Sequence, residues 1–219
     1  DLNMEKTNHS LNYKIALTGV FGALSVVLSF TPLGYIQIGL LAITIMHIPV
    51  ILATVLAGLV PGICTGFIFG ISSLIRASQT GSPFFINPLV SVLPRMIFPV
   101  GVFLIYKLFT LNSRFPKVIA ASLAAAFGTL FHTLVVMASL YAFYSPIILD
   151  GMKALIQRFG FEAENLSAFG GYFAIVVCTL ATNGIWEIVA ATIITAAVVS
   201  SIFVVKNKKS KLSALEDAE

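Results

Sequence analysis

Charge is what this chain has least of. Only 10% of its 219 residues are Asp, Glu, Lys or Arg, 58% are hydrophobic, and the mean hydropathy is +0.99. A soluble domain of this length cannot cover so much apolar surface, so the composition excludes a soluble enzyme or binding module and requires an integral membrane protein. Cysteine is nearly absent. Cys64 and Cys178 stand in apolar runs with no CxxC or metal-ligand spacing, which excludes a disulfide scaffold and reads as buried, inert thiols. There is one Trp, and the aromatic content is mostly Phe, which suits lipid-facing and packing roles. No basic region with a short apolar stretch and a cleavage site opens the chain, so no signal peptide is read, and Asp1-Leu2-Asn3 read as extra residues ahead of a native start at Met4.

Chemical motifs are missing as well. The chain has no HExxH, no GxSxG and no paired intramembrane aspartates, so no enzyme is read here. No metal site is expected. Without a Walker A motif there is no nucleotide site, and any energy source lies elsewhere. The net charge of +4 is no nucleic-acid signal, because the basic residues gather at the edges of apolar segments. The two halves show no inverted repeat of broken helices, which argues against a secondary carrier of that build.

What is present is a series of apolar segments. The first helix is expected over Tyr13–Phe30 and the second over Ile43–Leu59, with His47 and Pro49 in its first turns. Val60-Pro61-Gly62 reads as a tight turn, followed by a third helix over Gly62–Ser78 with Gly62, Gly66 and Gly70 at fourfold spacing, a close-packing stripe. A fourth is expected over Asn87–Phe109 and a fifth over Lys117–Tyr144. The run Phe169–Val205 exceeds one span, so a break is placed at Thr182-Asn183-Gly184, leaving Gly171–Ala181 as a short segment and Gly184–Val205 as the sixth helix. Between the first two helices, Thr31–Leu41 is uncharged and carries two glycines, a loop that re-enters the membrane or caps a cavity. Asp150–Phe159 reads as a short interfacial helix. The expected fold is an all-α membrane protein, a compact bundle of six transmembrane helices with that loop between helices 1 and 2. Its domains are a polar segment 1–12, one membrane domain 13–205 and a C-terminal tail 206–219, in which Lys206–Lys211 closes the sixth helix and the last, acidic residues are expected to be disordered.

Six spans place both termini on one side. Apart from Arg95, the 13 basic residues divide as Lys6, Lys14, Lys107, Arg114, Lys117, Lys206, Lys208, Lys209 and Lys211 on that side, against Arg76, Lys153 and Arg158 on the other. The positive-inside rule then makes the termini cytoplasmic.

Arg95 is the one full charge inside the fourth helix, flanked by Pro94 and Pro99, which interrupt the helical hydrogen bonds. A charge at helix depth costs roughly 2.5–3.5 kcal/mol on insertion scales. Either an anionic ligand or an ion pair with another helix offsets that cost, and Glu187, at membrane depth in the sixth helix, is the candidate partner. His47, Asn87, Arg95, His132, Asn183, Trp186 and Glu187, with Tyr35 and Gln37 from the loop, converge in the outer half of the bundle. They read as an outward-facing site for a small polar solute. A lone His132 on an apolar helix also fits a packing role. Ala16, Gly19 and Ala23 form a small-residue seam on the first helix, either an interface with another subunit or packing within the bundle.

HIPVILATVLAGLVPGICTGFIFGISSL (His47–Leu74), NPLVSVLPR (Asn87–Arg95) and NGIWEIVAA (Asn183–Ala191), set in six spans, resemble the substrate-binding S components of energy-coupling factor vitamin transporters. The resemblance runs from Tyr13 to Val205. Pro94-Arg95 and the His-Ile-Pro turn are most similar to the pantothenate-specific branch. The resemblance implies a high-affinity vitamin-binding subunit in a bacterial cell membrane, with its site near the outer face under the first loop. It also implies a membrane coupling subunit and two cytoplasmic ATPases as partners, with ATP hydrolysed by those partners and no cofactor in this chain. Ala16, Gly19 and Ala23 would then contact the coupling subunit, although Val20 stands where an AxxxA pattern would place its second alanine. Cobalamin, pyridoxine-type and hydroxymethylpyrimidine ligands, a stand-alone carrier or channel, and more remotely an intramembrane enzyme are the alternatives.

Overall fold

Hydrophobic runs this long satisfy their backbone internally only as helices, and helices dominate the computed structural model, which describes residues 2–38, 41–111, 115–158 and 168–216. They are α1 (Leu2–Phe30), α2 (Ile48–Ala57), α3 (Leu59–Thr80), α4 (Pro88–Ser91), α5 (Leu93–Leu111), α6 (Lys117–Arg158), α7 (Ala168–Thr179) and α8 (Ile185–Glu216). Five apolar stretches are long enough to cross a membrane: Leu11–Phe30, Leu59–Thr80, Pro88–Leu111, Lys117–Gly151 and Gly170–Val205. Together with the shorter α2 they form the expected all-α membrane bundle.

The second helix departs most from the sequence reading. It does not run Ile43–Leu59 but only Ile48–Ala57, ten residues. Pro49 sits at its start, where a missing amide costs nothing. Gly58, at φ +102°, ends it in a conformation that side chains resist. The turn therefore lies at Gly58, and Pro61 falls inside the first turn of α3. Nine of the ten α2 residues are buried, so this helix is the axis that the others surround. At ~1.5 Å per residue it fills about half of a ~30 Å hydrocarbon layer. The segment Ile43–Thr44 belongs instead to a two-stranded hairpin, β1 (Tyr35–Ile38) with β2 (Leu41–Thr44), pairing Tyr35 with Thr44 and Ile38 with Leu41. The connection is thus a hairpin rather than an irregular loop, and Ile45 N–H donating to the Gly34 carbonyl (3.3 Å) ties its base.

The glycine stripe of α3 explains its three neighbours. A Cβ on Gly62 would meet Thr54 of α2, one on Gly66 the Arg95 carbonyl of α5, and one on Gly70 the backbone at Ser91–Val92 between α4 and α5. α1 packs on α2 and α3, α5 on α3 and α6, and α8 on α6 and α2.

Three further boundaries move. The fourth span divides at Val92 into α4 and α5. The fifth continues past Tyr144, whose φ of −129° and ψ of 20° mark a kink just before Pro146, and runs to Arg158, taking in most of the expected interfacial helix. The sixth is not broken at 182–184. Leu180–Gly184 is a π-turn between α7 and α8, and the helix carries on to Glu216 where a disordered tail was expected. Thr182 Oγ1 donates to the Cys178 carbonyl (2.9 Å) within that turn. α1 likewise begins at Leu2 rather than Tyr13. Cys64 and Cys178 are exposed, not buried, on the outer faces of α3 and the sixth span.

Candidate ligand-binding site

The site begins with a missing amide. Pro94 has no N–H to give the carbonyl four residues earlier, that of Val90. The Arg95 guanidinium supplies the donor instead: Nη1 lies 2.7 Å from the Val90 carbonyl oxygen. The charge also lies against two aromatic faces, Phe69 at 5.5 Å and Phe85 at 5.4 Å from their ring centres. Arg95 is 6% exposed, yet its Nε has no hydrogen-bond partner among the described residues. A buried donor of a cation left without an acceptor costs more than a neutral one.

Arg95 faces a cavity of about 720 Å³. Because α2 occupies only part of the bundle's depth, its column is open at one end, and the flanking elements line the space. Phe30, Thr31 and Pro32 follow from α1, and Thr44, Met46 and His47 from the end of the hairpin. Phe69, Ser73, Arg76, Ala77 and Thr80 come from α3, Ser82 and Phe85 from the α3–α4 connection, and His132, Thr133, Val136 and Met137 from α6. Thr179, Asn183 and Glu187 flank the π-turn.

The two histidines stand together. Their rings stack at 5.4 Å with 11° between planes, and Phe98 meets His132 edge-on at 4.7 Å. His47 Nε2 is 3.1 Å from Thr129 Oγ1. His132 Nε2 is buried with no partner.

Glu187 is not the counter-ion of Arg95. Its Oε1 accepts from Thr44 twice, from the backbone N–H at 2.9 Å and from the hydroxyl at 2.5 Å. Among the described residues no ion pair joins it to Arg95. Arg76, the second cation in the wall, donates from Nη1 to the Ser29 carbonyl at the end of α1. Among the described residues the lining carries the guanidiniums of Arg95 and Arg76 and the carboxylate of Glu187.

Of the residues expected at the site, His47, Arg95, His132, Asn183 and Glu187 line one cavity. Asn87 does not; its side chain caps α4 by accepting from Leu89 N–H at 3.0 Å. Trp186 is 53% exposed, since the position beside Glu187 lies about 100° round the helix and faces outward. Tyr35 and Gln37 lie in β1, with side chains outside the described set. Sequence reasoning missed Phe69, Ser73, Arg76 and Thr80, although their 4-3-4 spacing is a legible stripe on one face of α3. It also missed Thr44 and Phe85, for which no local pattern exists. Ala16, Gly19 and Ala23 are all exposed, and a Cβ on Gly19 would meet nothing within 4 Å. The inward face of α1 is Phe21, Gly22, Ser25 and Ser29, so the small-residue seam does not pack within the bundle.

A family model described as the substrate-specific component of ECF transporters matches residues 13–199. The pantothenic acid transporter PanT of Lactococcus lactis subsp. cremoris is 24% identical to this chain over 181 residues, covering 75% of this chain and 79% of that protein.

Proposed function

The chain belongs to the family of ECF transporter substrate-specific components, a family of membrane-embedded solute binders, and from that premise we propose that it is the vitamin-binding subunit of an importer that takes up pantothenate. One observation carries the ligand assignment: a buried arginine at the cavity wall with one nitrogen engaged by Val90 and its Nε without a partner among the described residues. Pantothenate brings one carboxylate for that edge, since guanidinium and carboxylate match in charge-assisted hydrogen bonds. Its hydroxyls and amide suit His47, His132 and Asn183, and its dimethyl group suits Phe69. Tyr35 and Gln37 belong to the strap beside the ligand. Because Glu187 is engaged by Thr44, it is not spent on Arg95, which leaves that guanidinium for a carboxylate of the ligand. The weak identity to a pantothenic acid transporter supports the same ligand.

In this reading the chain catalyses nothing. The exposed Ala16, Gly19 and Ala23 face of α1 docks a membrane coupling subunit, two cytoplasmic ATPases hydrolyse the ATP, and the termini are cytoplasmic. Mass spectrometry of the ligand released from detergent-purified protein tests the substrate, and pantothenate is the expected species. Uptake in cells should collapse when the partner ATPases are inactivated; uptake that persists would make the chain a stand-alone carrier.

A further inference from the structure

The hairpin is fastened to the sixth span through Thr44 and Glu187. α1 packs on α2 and α3, while β2 lies against the π-turn Leu180–Gly184 and the start of α8, so the hairpin bridges from the end of α1 to the sixth span along the cavity wall. Across that bridge Glu187 Oε1 holds both the N–H and the hydroxyl of Thr44, the last residue of β2. Both residues line the cavity, and Thr44 is also the strand residue paired with Tyr35, so its position fixes the open base of the hairpin, opposite the Ile38–Leu41 end. The π-turn immediately precedes α8 and ends three residues before Glu187. Such a turn adds a residue to the helical register, and π-turns recur at functional positions. We propose that Glu187 is a latch: a positioning residue that holds the hairpin against the sixth span and sets how readily the cavity opens, without itself contacting the ligand. The proposal rests on the cavity being the ligand site, and it assigns Glu187 a role distinct from that of Arg95.

The test uses the full chain in nanodiscs with Cys64→Ser and Cys178→Ser, carrying Ser73→Cys in the cavity wall or, as control, Ala121→Cys. Ala121 is fully buried on α6, about 18 Å of helix before Thr133. The ligand-free protein is exposed to a small charged thiol reagent. Glu187→Ala should speed modification of Ser73→Cys by about tenfold, the scale expected when a charge-assisted hydrogen bond is lost, and leave Ala121→Cys protected. Thr44→Val, which keeps the backbone bond, should give a smaller increase, and Glu187→Gln, which keeps an acceptor, should stay nearest the unsubstituted protein. If Glu187→Ala does not fold, the Thr44→Val increase carries the test. In stopped-flow binding of pantothenate, the latch predicts faster association and faster dissociation together. Unchanged Ser73→Cys reactivity, equal deprotection of Ala121→Cys, or faster dissociation alone would overturn it. If no protein binds pantothenate, the ligand reading fails, and the thiol reactivity still decides the latch.

Discussion

Arg95 was legible in the sequence because a single cation in an apolar run is costly and therefore conspicuous. Its partner was less so. The pattern left Glu187 and a ligand as equal candidates, and the structure adds a third group, the Val90 carbonyl freed by Pro94. Pro94 makes the vacancy legible, since a proline in a helical stretch cannot donate to the carbonyl four residues before it, but not that Arg95 fills it. The contacts of His47 with Thr129 and of Glu187 with Thr44 span 82 and 143 residues and leave no local trace. At this scale the account makes a sharp forecast. Arg95→Ala should weaken pantothenate binding by about 2–5 kcal/mol, as when one side of a buried charge pair is removed. Arg95→Lys should fail nearly as badly. An ammonium cannot satisfy Val90, lie flat between Phe69 and Phe85, and present a planar edge to a carboxylate at once. Isothermal titration of both variants checks this, and near-native affinity for the lysine variant would count against guanidinium-specific recognition.

Among the elements, the long spans were readable from hydropathy and the short ones were not. Ile43–Leu59 is apolar and rich in β-branched residues throughout, so periodicity could not separate strand β2 from helix α2. What separates them is tertiary: pairing with β1, the Thr44–Glu187 bonds and the stop at Gly58. The error concealed the main architectural fact, that a half-length central helix leaves room for the cavity. The α3 glycine stripe was legible, and the structure shows what it admits. A methyl at Gly66 would lie 2.0 Å from the Arg95 carbonyl oxygen, a backbone atom that cannot step aside cheaply. Gly66→Ala should therefore lower thermal stability, with overpacking costs of about 1–3 kcal/mol, and weaken binding by displacing Arg95. Gly19→Ala should change neither. On the outer face of α1, Gly19→Leu with Ala23→Leu should spare ligand binding and abolish uptake, because bulk there blocks close approach of another membrane helix. Parallel loss of binding and uptake would return the seam to the bundle's interior.

For the whole molecule, a multi-pass membrane bundle, its family and the convergence of His47, Arg95, His132, Asn183 and Glu187 were recoverable from composition and the order of motifs, whereas the hairpin was not, because it depends on long-range pairing. The basic-residue distribution implies a fixed orientation. Gly151→Cys and Ser210→Cys, in a background lacking Cys64 and Cys178, should respond oppositely to an impermeant thiol reagent in intact cells, with only the former labelled from outside. The central claim joins cavity and charge: a site whose buried Arg95 recognises an acid. It is tested most directly by calorimetric binding of pantothenate and its neutral alcohol, pantothenol, to the unsubstituted protein. The account predicts that the acid binds at least about a hundredfold more tightly, the scale of a buried charge-assisted contact. Equal affinity for acid and alcohol would contradict it.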